Sequence, residues 1–206
     1  MEENFGTDNK NKARFRAAMT FLILFILPAG SWYFMSSGLN YRKKSQSELS
    51  DMGKVGAFEM KNQTNLTISP ELLKGKVAVV NFISKDIATA KKQVARIAKV
   101  HQSFDNTEDV VFLSFTLPDT ANNLLVRANK LGITDNKQWY LISTGTEDLT
   151  YISKKLFHID NPESGVALID TSMSIRRVYD INSNKEMGRL VEQIAIVIPE
   201  QPRRGM

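Results

Sequence analysis

The chain has 206 residues, with 27 Lys and Arg, 22 Asp and Glu, two histidines and no cysteine. Without a thiol there is no disulfide framework, CxxC redox pair, thiolate metal site or cysteine nucleophile, and His101 and His158 alone supply few metal or general-base schemes. The net charge of +5 is dispersed: from Val55 onward 19 basic side chains face 17 acidic ones, so the clustered cationic surface that nucleic acid requires is not visible.

Residues 17–41, AAMTFLILFILPAGSWYFMSSGLNY, run 25 residues without a charge, enough for a helix to cross a hydrocarbon core even with Pro28 near the middle. Arg14 and Arg16 precede the stretch and Arg42, Lys43 and Lys44 follow it, while Trp32, Tyr33 and Tyr41 lie toward its downstream end as interfacial aromatics do. A cleaved signal peptide is the competing reading, with PAGS imitating a cleavage site. The apolar run outlasts a signal core of ~7 to 15 residues, so a retained single-pass transmembrane helix is expected. Residues 1–16 form a short segment before it, with four basic residues on each side of the span, a symmetry that leaves the orientation open. Residues 42–56 are polar and read as a linker, 57–199 as the folded domain, and 200–206 as a tail carrying Arg203 and Arg204.

Within the domain, 57–60 and 65–68 read as two short strands around a polar turn. Ser69, Pro70 and Glu71 follow as cap, first position and first-turn acid of a single helical turn. VAVVNFI at 77–83 is β-branched and aromatic without alternation, the pattern of a strand covered on both faces. Ile87, Ala90, Val94, Ile97, Ala98, His101 and Phe104 recur at three-to-four spacing and predict an amphipathic helix, with Lys91, Lys92, Arg96 and Lys99 mostly on its solvated side. VVFLSFT at 110–116 predicts a second buried strand, and Asp119 or Thr120 caps a helix running to Leu131. A short strand covers 139–142 and a helix 146–157. After NPESG, strands at 166–170 and 175–179 form a hairpin around TSMS, and a helix over 185–198 turns Met187, Leu190, Val191, Ile194, Ala195 and Ile198 inward. The order β, α, β, α, β, α, β, β, α predicts an α/β sandwich of the thioredoxin-like kind, partly parallel, with an antiparallel hairpin at one edge.

With the anchor and linker ahead of it, the succession LLKGKVAVVNFI, VVFLSFTLPDT, KQWYLISTG and GVALIDTSMSIRRVYD resembles the SCO/SenC proteins, membrane-anchored thioredoxin-like copper chaperones and thiol reductants of cytochrome oxidase assembly. LKGKVAVVNF and LIDTSMSIRRVYD carry the resemblance best. It implies a CPxxCP motif just after the central strand and a histidine ahead of the later hairpin, which together trap Cu(I) or exchange disulfides. Aligned from Val79, Asn81 and Phe82, the cysteine positions fall on Ile87 and Lys91, the prolines on Ala88 and Lys92, and the histidine near Pro162. All three ligands are absent, so no catalytic residue, metal or cofactor is expected.

The resemblance therefore implies a divergent, non-catalytic member: a binding or scaffold module for a membrane complex, with no small-molecule substrate and a periplasmic domain on a cytoplasmic-membrane anchor. The expected interaction face is Lys91, Lys92, Arg96 and Lys99, together with the former site edge at 84–92. The alternative is a residual metal site in which a shifted loop brings His158 near Asp86 or Asp160; an ordinary helix-end histidine competes with it. A structural subunit of an envelope complex is a third reading. His101 is expected as a packed residue bonded to a carbonyl, and Lys91 as a solvated cation in preference to a nucleophile.

Overall fold

The stretch around Pro28 is helical in the computed structural model, which describes residues 5–118, 123–145 and 148–199. The chain divides into two units, Met1–Lys44 and Ser45–Met206. The first comprises α1 (Phe5–Phe21), a π-helical turn at Leu22–Ile26, and most of α2 (Leu27–Ser47). Pro28 has no N–H to offer the Leu24 carbonyl and its ring crowds that oxygen. The helix widens just before it, with the Leu27 N–H reaching the Leu22 carbonyl. Arg14–Ser36 spans 23 residues at a mean hydropathy of 1.7, long and apolar enough to cross a membrane. Its large apolar side chains from Phe21 to Leu27 are all exposed, as a lipid-facing surface would be.

The second unit is built on a sheet of order β5-β4-β3-β6-β7. Its strands are β3 (Val77–Ile83), β4 (Val110–Thr116), β5 (Trp139–Ser143), β6 (Gly165–Ile169) and β7 (Ile175–Asp180), preceded by a short hairpin of β1 (Met60–Lys61) and β2 (Thr67–Ile68). β3 lies at the centre, parallel to β4 and antiparallel to β6, while β4 and β5 run parallel and β6 and β7 antiparallel. Every residue of β3 and β4 is buried, as their unbroken apolar runs predict. The helices are α3 (Pro70–Leu73), α4 (Ile87–His101), α5 (Leu124–Leu131), α6 (Leu149–Phe157) and α7 (Asn184–Val197). One core layer joins Val77, Val79 and Ile83 to Val94, Ile97, Leu190 and Ile194 of α4 and α7. The other joins Ala78, Val80 and Phe82 to Ile152, Leu156 and Phe157 of α6. Phe58, Phe82, Phe115 and Phe157 pack there, the Phe115 and Phe157 ring centroids 5.1 Å apart.

Several expectations change. The predicted caps Asp119 and Thr120 lie outside the described residues, and Asn123 caps α5 by accepting from the Val126 N–H at 3.1 Å. Thr146, the expected start of the next helix, also lies outside them; Asp148 caps α6. The expected inward Ile87 is 44% exposed, and Gln93 joins the buried stripe of α4. In α7 Ala195 is exposed and Gln193 is fully buried. The predicted tail at 200–206 is not described.

Residues 45–56, expected as part of a linker, belong to the folded unit. The Ser50 and Met52 N–H groups donate to the carbonyls of Arg176 and Ile175 at 3.1 and 2.9 Å, and the Ile175 N–H returns to the Gly53 carbonyl at 2.8 Å. The segment thus runs along the outer edge of β7. It is fixed by Glu48, whose carboxylate accepts from Arg177 at 2.8 Å and Arg189 at 2.6 Å. Gln193 donates to the Ser45 carbonyl at 2.9 Å and accepts a hydrogen bond from the Tyr179 hydroxyl. Partial burial works to raise the Glu48 carboxyl, but the Arg177 hydrogen bond and the Arg189 and Arg177 charges outweigh it and hold its pKa below the usual carboxylate value. Burial pushes the Tyr179 phenol well above its ordinary value, so it stays a donor.

Two glycines in this unit separate by environment. A Cβ at Gly165 would fall on the Ile159 side chain and 2.8 Å from the Asn161 carbonyl oxygen, whereas one at Gly188, inside α7, would meet nothing within 4 Å. Gly165→Ala is expected to destabilise the domain by about 1–3 kcal/mol, and Gly188→Ala to stabilise it by about 0.5–1 kcal/mol, both read from urea unfolding. Because the folded pKa of Glu48 is depressed, its contribution is present at neutral pH and lost as pH falls through the folded value. Glu48→Gln should therefore lower Tm at pH 7, and the gap to wild type should narrow as pH falls below the ordinary glutamate pKa of about 4.3 in a pH series of thermal melts.

Candidate functional site

The segment that leaves β3 and enters α4 is stitched from three directions. The Ser84 N–H donates to Gln93 Oε1 at 2.9 Å, Gln93 Nε2 donates to the Glu163 carbonyl at 2.8 Å, and an Arg127 amino group donates to the Ser84 carbonyl at 2.8 Å. Ser84 Oγ accepts from the Asp86 N–H, and the Asp86 carboxylate caps α4 by accepting from the Thr89 N–H at 2.8 Å. Hydrogen bonds from the Thr89 amide and hydroxyl, with lesser help from Ala88 and Lys92, hold the Asp86 carboxyl below its ordinary pKa. Gln93 therefore ties the 162–163 loop to the start of α4, so Pro162 lies in a loop held beside the turn that carries Ile87 and Lys91.

Ile87 and Lys91 are both exposed on the first turns of α4, and Pro162 is half-buried. A hydrocarbon, an ammonium and a pyrrolidine offer no soft donor to a metal and no exchangeable sulfur. A polar chain crosses the sheet from β5 through β4 to β3. Trp139 Nε1 donates to Ser114 Oγ at 2.9 Å, and Ser114 Oγ donates to Asn81 Oδ1 at 2.7 Å. Asn81 is 1% exposed and among the described residues its Nδ2 has no hydrogen-bond partner, an arrangement that costs about 1–3 kcal/mol in a dry interior.

The structure does not assemble the His158 alternative. His158 is exposed at the left-handed C-terminal cap of α6, Asp160 pairs with Lys154 at 3.5 Å, and Asp86 is engaged as a cap. Among the described residues no three His, Asp or Glu side chains converge on one point. His101 packs against Phe112 and Trp139, with ring centroids at 5.2 and 5.4 Å. Its Nε2 meets Asp135 Oδ2 at 3.0 Å, so its partner is a carboxylate where a carbonyl was expected. Burial works to raise the Asp135 carboxyl, but the Lys137 and Gln138 amides and His101 outweigh it and leave its pKa below normal.

The expected interaction face divides in two. Lys91, Lys92 and Lys99 are exposed, whereas Arg96 is half-buried and donates to the Ile181 carbonyl at 2.9 Å and Asn184 Oδ1 at 3.2 Å. Arg96 and Lys99 border a groove of about 560 Å³ between α4 and α7, with Val100, Met187, Gly188 and Val191 among its walls. Sequence reasoning missed Gln93, Arg127 and this groove. The one signal for Gln93 was a polar residue at an inward position of the α4 repeat.

The chain matches no protein-family model and no curated relative. Solved structures do match it. A SCO1/SenC family lipoprotein from Bacillus anthracis is 23% identical over 71% of this chain and 95% of its own, with a TM-score of 0.57. BsSco, a member of the Sco family of cytochrome c oxidase assembly proteins, is 18% identical over 74% of this chain and 98% of its own, at 0.59. The thioredoxin domain of a thiol-disulfide oxidoreductase from Bacteroides vulgatus is 14% identical over 72% of this chain and 99% of its own, at 0.54. The Ser45–Met206 unit has the thioredoxin-like fold that SCO/SenC proteins and thiol-disulfide oxidoreductases share, here in a chain with no cysteine.

Proposed function

We propose that this chain is a membrane-anchored, non-catalytic SCO-like protein whose domain serves as a binding or scaffold module for a membrane complex. The observation that carries this reading is a thioredoxin-like frame in a chain with no cysteine; the resemblance to SCO/SenC proteins puts Ile87, Lys91 and Pro162 at the positions of the paired thiols and the imidazole. A frame that keeps both core layers and the stitched loop while holding no reactive group there retains shape and charge as its functional assets. The Sco comparison, with a protein of cytochrome c oxidase assembly, favours a respiratory oxidase or its assembly intermediates as the complex. The Arg14–Ser36 helix supplies the anchor, and the likeness to a SenC lipoprotein supports a domain on the outer side of the cytoplasmic membrane.

Two experiments bear on this. Tagged chain solubilised in mild detergent should co-migrate with oxidase subunits in native gels, and a charge reversal of the exposed lysines, Lys91→Glu with Lys92→Glu, should cut the recovered complex about tenfold. A monodisperse monomer carrying no oxidase subunit would overturn the reading. Alkaline phosphatase fused after Met206 should be active in whole cells; an inactive fusion would place the domain in the cytoplasm.

A further inference from the structure

The groove between α4 and α7 deepens that reading by giving the partner a chemistry. Lys92, Arg96 and Lys99 are spaced four and three residues apart, so they form one stripe along α4, and Arg96 and Lys99 border the groove. The floor is apolar and recessed: Val100 is 2% and Met187 8% exposed. The α7 wall of the groove is Asn184, Met187, Gly188 and Val191, none of them acidic, with the exposed Glu192 one turn on from Gly188. No residue lining the groove sets a carboxylate against Arg96 and Lys99.

Gly188 is the second observation. A glycine inside a helix is destabilising relative to alanine, and here a Cβ would touch nothing. The fold gives no internal reason for the missing side chain. Its absence leaves the groove wall open at the second turn of α7.

We propose that this groove receives an amphipathic helical segment of a partner protein, with an apolar ridge for the Val100–Met187 floor and acidic residues for Arg96, Lys99 and Lys92. A protruding ridge fits a recessed floor, and a flat bilayer surface does not. Among the described residues, the large exposed apolar side chains of α4 are confined to Ile87 in its first turn, and α7 has none. The face thus lacks the projecting anchors with which a helix enters a membrane interface.

The inference rests on the binding-module reading, and its test separates the two. Full-length chain in detergent is titrated, by amide chemical shifts, with a synthetic amphipathic peptide of about four helical turns bearing a leucine ridge flanked by glutamates. The same peptide with lysines for glutamates, and vesicles rich in phosphatidylglycerol, serve as comparisons. The acidic peptide should saturate with shifts at Lys99, Gly188 and Val191, weaken as salt rises, and bind at least about tenfold better than the basic one. Gly188→Leu should fill the groove and Lys99→Glu invert its rim, each lowering affinity by about tenfold or more while thermal melting stays intact. Equal binding of both peptides, shifts confined to another surface, or vesicles alone perturbing these amides would each overturn the groove assignment. If Gly188→Leu still co-purifies with oxidase, the groove is wrong and the binding module stands. If wild-type chain binds the acidic peptide at the groove but recovers no complex, the oxidase assignment fails and the groove stands.

Discussion

The burial of β3 and β4 on both faces is the constraint from which the rest of the unit follows. Seven consecutive side chains of each strand lie out of water, so apolar surface has to be covered above and below the sheet. α4 and α7 supply one cover and α6 the other, and their amphipathic stripes are meaningful only against that sheet. Parallel pairing of β3 with β4 demands a crossover between them, which places the start of α4 at the carboxyl end of the central strand. The location of the candidate site is thus a product of packing, independent of whatever residues occupy it.

That independence means the frame does not rely on reactive groups at this position. The bonds that shape the turn after β3 come from Gln93, Arg127 and the Asp86 cap, whose carboxylate is taken up by the Thr89 N–H. Ile87 and Lys91 project from a surface already held by other residues, so replacing the side chains there leaves the scaffold's geometry untouched. Among the described residues, the Asn81 amide in the central strand leaves its Nδ2 without a hydrogen bond.

The order of elements was legible because each strand of the core is either a continuous apolar run or half of a hairpin, and because α4 and α7 repeat their apolar residues at helical spacing. The failures share a cause. Gln93, Arg127, Gln193 and Glu48 are polar residues whose partners lie far along the chain, Glu48 with Arg177 and Arg189 and Gln193 with Ser45. No local pattern announces such a pair, and a polar segment that borders a sheet edge looks the same in sequence as a tether. Hence 45–56 reads as linker until its hydrogen bonds to β7 are seen. The candidate site was legible only through the resemblance to SCO/SenC proteins. Nothing in the local sequence marks Ile87, Lys91 or Pro162 as special, since ordinary residues at a helix start and in a loop carry no chemical signature.

Both borders of the sheet are occupied by the chain itself. Residues 50–54 take up backbone groups of β7, and the Gln63 side-chain amide substitutes for a neighbouring strand at β5, donating to the Trp139 carbonyl at 2.8 Å and accepting from the Leu141 N–H at 2.7 Å. A peptide seeking to extend this sheet by strand addition would first have to displace these bonds. Recognition by this protein is thereby steered away from backbone pairing, which is indifferent to side chains, toward the helical surfaces, where residue identity and charge decide what binds.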